Sequence, residues 1–210
     1  PLVFDWGPEG EVFTVTAEDF QKSSLKIFGY DYTSDKLKGL RDLFKNLKVG
    51  YFYRVNNTAV KATSDIATAK YGGVRNDITV VIAANIDNEG QYDVITYLTV
   101  DGSKTKVDSQ TGTVWDDIID NDYVTFKRTS DLSAGVTAGT MLKNGTNGEA
   151  VTSAQYQSYI DKIEPYYFNT MGVVTTENTL IDLFVQFTKR MRDSVGAKFQ
   201  TVVYGKENVD

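Results

Sequence analysis

The chain has 210 residues, 41 % hydrophobic and 24 % charged, enough for one large domain or two small ones around a real core. It contains neither histidine nor cysteine, which removes zinc and haem sites, Ser–His and Cys–His nucleophile pairs and redox dithiols, and leaves all-oxygen metal sites and carboxylate catalysis open. A net charge of −6 disfavours a general nucleic-acid binder, and neither a membrane-length apolar run nor a signal-peptide pattern occurs.

In chain order, Leu2-Val3-Phe4 reads as a short strand before the turn Gly7-Pro8-Glu9-Gly10. Thr16 is a helix cap, with Phe20, Ser24, Ile27 and Phe28 on one face of the helix that follows. A second helix is expected from about Asp35, its Leu37, Leu40, Phe44 and Leu47 opposite the lysines. Val49 to Val55 reads as a strand by its aromatic and β-branched content. Short β-rich runs then take over: Ile78 to Ala84, Tyr92 to Val100 and Tyr123 to Lys127. Asp87-Asn88-Glu89-Gly90 and Asp101-Gly102 supply hairpin turns, and Val114 to Ile119 allows one helical turn. From Gly139 to Gly148 a glycine-rich loop runs towards a helix capped at Thr152, whose buried face is Tyr156, Tyr159, Ile160 and Ile163, with Pro165 beyond its end. Met171 to Thr175 and Phe199 to Tyr204 read as strands. Between them Leu180, Phe184, Phe187, Met191 and Val195 mark the strongest amphipathic helix.

This order predicts an α/β (α+β) fold: a mixed sheet with crossover helices, carrying an inserted small β barrel or sandwich. Residues 1–62 form the first part of the α/β domain, 63–139 the β insert and 140–210 the second part. The start at Pro1 and the stop at Asp210 are those expected of a fragment.

Charge is unevenly spread. Residues 20–50 hold seven basic against three acidic side chains, and residues 85–135 hold ten acidic against four basic. Opposite poles allow head-to-tail docking between copies, though from the residues alone two ordinary solvated surfaces are the better reading.

No residue is assigned as catalytic, cofactor-binding or metal-binding. Asp116, Asp117, Asp120 and Asp122 offer all-oxygen ligands, but their spacing is not that of an EF-hand, and neighbouring aspartates point apart; a solvated acidic turn is the better reading. A carboxylate pair for hydrolysis or a Ser–Lys dyad is imaginable, but nothing marks particular residues, and no Gly-x-Ser-x-Gly elbow occurs. The glycine-rich loop precedes a helix, where phosphates often bind, yet it lacks G-x-G-x-x-G and a Gly-Lys-Ser/Thr ending. Tyr51, Tyr53, Tyr156, Tyr159, Tyr166 and Tyr167 can stack on bases or sugars, though core packing is the commoner use.

Leu142-Lys143-Asn144-Gly145-Thr146-Asn147-Gly148, with Tyr156 in the following helix, resembles the tail-sheath family of contractile phage tails and R-type bacteriocins. Ala69-Lys70-Tyr71-Gly72-Gly73 and Arg75-Asn76-Asp77-Ile78-Thr79-Val80 are similar to that family's Lys-Tyr-x-Gly … Gly-Asn-x-Ile-x-Val segment, with Val74-Arg75 where Arg-Gly is expected. Phe168-Asn169 and Lys198 to Tyr204 extend the likeness, which takes in PBSX-like prophage and diffocin-type sheaths. The resemblance implies a non-enzymatic structural subunit that stacks with copies of itself in a helical sheath, contacting a tail tube and baseplate. Such a subunit contracts from a metastable extended state to drive the tube through a cell envelope. It further implies no cofactor, no nucleic-acid partner and no membrane insertion, synthesis in the bacterial cytoplasm, and a place in a phage tail or released tail-like particle. The terminal arms and C-terminal domain of the family are absent here, so this fragment alone is expected to be monomeric. The alternative reading is a bacterial surface adhesin or carbohydrate-binding module.

Overall fold

A computed structural model describes residues 1–100 and 102–203. The turn residue Asp101 and the strand residue Tyr204 lie outside them. Within the described residues the fold is α+β, with four α helices and several small sheets.

The first unit begins with β1 (Val12–Thr16), paired antiparallel with β2 (Val49–Tyr53) so that Val12 faces Tyr53 and Thr16 faces Val49. Between them lie α1 (Ala17–Phe28) and α2 (Lys38–Phe44). Thr16 and Asp19 form the reciprocal cap that starts α1: the Asp19 amide donates to Thr16 Oγ1 at 3.1 Å, and the Thr16 amide to Asp19 Oδ2 at 3.0 Å. Phe20, Ser24 and Phe28 are buried from α1, while Ile27 is only half-buried. A short 3-10 turn, Asp35–Leu37, precedes α2, so that helix starts later than its periodicity indicates. The space between α1, α2 and β2 is filled by aromatic rings, including the Phe20–Phe44 stack at 4.4 Å between centroids. Leu2 makes one parallel bridge to Arg54, in place of the strand expected at Leu2-Val3-Phe4.

Two antiparallel sheets follow. One has three strands in the order β3 (Lys61–Thr63), β4 (Ala67–Gly72), β8 (Val124–Phe126). The other has the order β7 (Ser103–Gly112), β6 (Tyr92–Val100), β5 (Ile78–Ala84), β9 (Thr137–Met141). Strand alternation sends Ile78, Val80 and Ile82 of β5 and Val94 and Leu98 of β6 inward, where they meet Ala67 and Ala69 of β4 and Val124 and Phe126 of β8. Thr96 is also buried between them, and its hydroxyl accepts from Asn121 Nδ2 at 2.9 Å. After β9 the chain crosses to the other sheet, bridging Thr63 from Lys143 and Val60 from Thr146.

The last segment contains α3 (Ser153–Ile163), β10 (Thr170–Val173), α4 (Asn178–Arg190) and β11 (Gln200–Val203). Strands β10 and β11 pair in parallel, and α4 is the crossover between them. Tyr159, Ile160 and Ile163 of α3 are buried as the sequence indicates, with Tyr156 partly covered. Leu180, Phe184, Phe187 and Met191 are buried along α4, but Val195 is 59 % exposed. The cause is a π turn over Met191–Val195, whose wider spacing rotates Val195 off the apolar face.

Candidate functional site: a polar joint under the glycine-rich loop

Two of the sequence motifs, at residues 69–80 and 142–148, meet where the first unit joins the β sheets. Arg54 follows β2 directly and is fully buried. Its Nη1 donates to the carbonyls of Gly72 at 2.7 Å and Gly7 at 3.2 Å, and its Nε to Asn56 Oδ1 at 3.2 Å. Glu9 places Oε1 3.6 Å from Arg54 Nη1 and accepts from the Gly72 amide at 2.7 Å. Burial pulls the guanidinium pKa down, and Glu9 and Asp5 oppose that. Arg54 Nη2 and Asn147 Oδ1 are buried without a hydrogen-bond partner.

Asp5 is the counter-centre. Tyr30 donates its hydroxyl to Asp5 Oδ2, and Asn147 Nδ2 donates to Asp5 Oδ1 at 2.7 Å. Burial pushes the Asp5 pKa up, but the bonds from Tyr30 and Asn147 and the charges of Lys36 and Arg54 outweigh it and hold the carboxyl below its ordinary value. Burial, together with the bond to Asp5, raises the Tyr30 hydroxyl well above its own. The Tyr30 ring carries the Arg75 guanidinium at 4.9 Å, and Arg75 also reaches Asp77 and the Thr99 carbonyl, both at 3.3 Å. Burial raises the Asp77 pKa against the pull of Arg75.

The glycine-rich loop closes the joint from above. Asn76 Oδ1 accepts from the Gly145 amide at 2.6 Å, and Asn76 Nδ2 donates to the Gly145 carbonyl at 3.2 Å. Gly145 is buried, and a Cβ there would stand 2.4 Å from the Gly73 carbonyl oxygen. Gly73 has φ +141°, and its Cβ would stand 1.9 Å from the Asp5 carbonyl oxygen. These two glycines allow three backbone segments to touch. Gly145 and Asn147 of the loop are thus engaged with Asn76, Asp5 and the chain around Gly73, while Lys143, Asn144, Thr146 and Gly148 stay exposed. The loop does not open directly into a helix, since α3 starts only at Ser153.

A second set of contacts lies beside the first. Trp6 is 2 % exposed and inserts among the sandwich side chains, 5.3 Å from Tyr71 and 6.4 Å from Tyr123, while its Nε1 donates to the Lys26 carbonyl at 3.0 Å. Lys26 of α1 pairs with Asp122 at 2.9 Å, and Lys70 joins at 3.3 Å.

Three of the four aspartates considered as metal ligands have separate uses. Asp117 accepts from the amides of Thr113 and Val114, Asp120 from the Phe126 amide and Arg128, and Asp122 from Lys26 and Lys70; Asp116 is exposed. Among the tyrosines, Tyr53 and Tyr159 are core residues with rings 5.4 Å apart, Tyr51 and Tyr166 meet edge to face at 5.1 Å, and Tyr167 is 77 % exposed. Sequence reasoning missed Asp5, Trp6, Tyr30 and Arg54. The available signal was an arginine closing an otherwise apolar aromatic strand, a position where a cation has to be buried with acceptors supplied.

Comparison with known proteins identifies the family. Residues 56–147 match the phage tail sheath protein beta-sandwich domain, and residues 1–55 match the N-terminal region of tail sheath protein Gp18 domain III. Two Bacillus subtilis proteins, the phage-like element PBSX protein XkdK and YqbK, are each 30 % identical, over 96 % and 97 % of this chain and 46 % and 47 % of their own length. The sheath tail protein of Desulfitobacterium hafniense superposes with TM-score 0.82 at 37 % identity, covering 96 % of this chain and 47 % of that one. The sheath tail protein of Listeria innocua gives TM-score 0.81 at 33 % identity, covering 97 % and 46 %. This chain thus spans about half the length of the relatives it matches. From the aromatic first unit through the sandwich and the joint that binds them, it belongs to the phage tail sheath protein family.

Proposed function

We propose that this chain is part of the structural subunit of a contractile tail sheath. The subunit packs with its own copies around a tail tube above a baseplate, is held in a metastable extended lattice, and contracts to drive the tube through a target cell envelope. Residues 1–62 and 140–210 build the body of the subunit, and residues 63–139 form an insert carried on it. The subunit works by contact energy, without catalysis or a cofactor. It has no nucleic-acid partner and does not insert into a membrane. The particle is a phage tail or an R-type bacteriocin of diffocin type, made in the bacterial cytoplasm. This chain without the rest of the subunit is monomeric.

The observation that carries the reading is agreement in fold along almost the whole chain with two sheath tail proteins. The joint supplies a physical rationale. A lattice that stores free energy behind a kinetic barrier and then re-registers needs subunits that keep their shape while their contacts change. The Trp6 plug, the buried Arg54 and the Gly73–Gly145 approach fasten the two units in that way. The test is electron microscopy of particles containing the full-length subunit, before and after a contraction trigger. Two lattice pitches with superposable subunits are expected; a single invariant pitch would contradict contraction.

A further inference from the structure

The end of the sandwich remote from the joint carries a surface that serves nothing within the monomer. Strand β5 starts beside Arg75 and runs about 20 Å before the chain turns at residues 85–91. That turn is braced: Asn85 Oδ1 accepts from the amides of Asp87 at 3.0 Å and Asn88 at 2.8 Å, and Asn85 Nδ2 donates to Asp93 at 2.8 Å. The brace holds Ile86 outward with 99 % of its surface exposed. Strand register sets Tyr92 opposite both Ala84 and Gly112, which brings this turn beside Val114 and Trp115. There a depression of about 430 Å³ is lined by Gly90, Tyr92, Val114, Trp115, Asp116 and Asp131. Val114 is 52 % exposed, and the Trp115 indole N–H is buried without an acceptor. Residues 85–92, 112–117 and 129–135 around it hold five carboxylates and no lysine or arginine.

The opposite character is found on the first unit. Residues 36–49, which include α2, hold five basic side chains against Asp42 alone. Leu43 and Val49 stand 49 % and 46 % exposed among them. Lys38 and Lys48 make no ion pair among the described residues, and Lys45 has only the exposed pair with Asp42, which is weak and free to exchange.

We propose that the acidic end of the sandwich, where Ile86 and Val114 stand exposed, docks the α2 face of a second copy of this chain. This deepens the sheath reading and rests on it. Leu43 enters beside Ile86 and Val114, and the lysines meet Asp87, Glu89, Asp116 and Asp131. The two patches differ, so the contact is heterologous. Each bound copy offers the same free patch again, which builds a ring or an open helix, whereas a symmetric dimer would end with two copies. Charge complementarity sets the register and makes the contact sensitive to salt.

These 210 residues contain no cysteine, so cysteines introduced into them give a direct cross-linking test in a full-length protein whose other cysteines are replaced by serine. Ile86→Cys and Leu43→Cys are placed separately in the full-length protein at two exposed positions that leave the core untouched. The two variants are mixed, assembled and mildly oxidised. The expected product is a disulfide between positions 86 and 43, from the mixture only, with a ladder of multimers from the double variant. Lys38→Glu with Lys45→Glu reduces the product about tenfold, and adding Asp87→Lys with Glu89→Lys restores it. Tubes that give no 86–43 product, or a product from either single variant alone, overturn this contact and leave the sheath reading standing. Absence of tubes from the unsubstituted full-length protein overturns the sheath reading, and this contact with it.

Discussion

At the scale of single residues, the account turns on two charges held in the joint. Arg54 is fully buried with Glu9 and Asp5 as its counter-charges. Truncating it removes their counter-charge and leaves the carbonyls of Gly7 and Gly72 without their donor, so Arg54→Ala is expected to lower unfolding stability by about 3–5 kcal/mol. Urea denaturation reads this as a fall in midpoint with little change in slope. Asp5 makes a pH-dependent contribution. Its native pKa lies below the ordinary 3.8, so the unfolded chain binds the proton more readily. The stabilisation is complete above 3.8 and is lost as pH falls through the depressed native value. Asp5→Asn is therefore expected to cost about 2 kcal/mol at neutral pH, and the gap to the unsubstituted protein is expected to close in acid. Stability measured at a series of pH values checks both parts; a gap that stays constant down to the acid limb would show that Asp5 acts through packing alone. None of this was readable beforehand. Asp5, Tyr30 and Arg54 lie 25 and 24 positions apart with no shared motif, and only the folded chain brings them together. The glycines and asparagines of the loop were conspicuous in sequence, but their role as a close approach between segments depends on Gly73 and Asn76, about seventy positions away.

At the scale of elements, legibility followed periodicity. Strands β5 and β6 coincide with the runs Ile78 to Ala84 and Tyr92 to Val100, because one buried face imposes apolar alternation. The helices α1 and α3 start at the caps marked by Thr16 and Thr152. Strand β7 escaped notice: Ser103–Gly112 lies at the edge of its sheet and is charged and polar along most of its length, so it carries no hydrophobic signal. Strands β3, β4 and β9 are short or rich in alanine, threonine and glycine, and carry no apolar run that would mark them. Val195 failed for another reason, because a π turn changes the residue spacing at the end of α4. Trp6 belongs to none of these elements yet joins two of them. Trp6→Ala is expected to cost about 3–5 kcal/mol through the cavity it leaves. Trp6→Phe keeps most of the packing and loses the bond to the Lys26 carbonyl, at a cost of about 1 kcal/mol from the bond itself. Calorimetry of both variants checks this order; an equal loss from each would place the importance of Trp6 in its hydrogen bond.

At the scale of the whole molecule, the α/β–β–α/β order was legible because composition changes along the chain, from helical periodicity to short β runs and back. The way the sandwich is fastened to the first unit was not, since it depends on Trp6, Lys26–Asp122 and the loop at Gly145, which are far apart in sequence. The fastening gives the subunit a fixed shape, and a fixed shape with two different charged patches is suited to repeating heterologous contact. The central claim is that such contacts build a sheath and that this chain is one part of the subunit that makes them. It is tested most directly by negative-stain electron microscopy of the full-length protein beside the 210-residue chain at matched concentration. Hollow tubes or stacked rings from the former and single particles from the latter are predicted. A full-length protein that stays monomeric at high concentration, with and without tail-tube protein, would contradict the account.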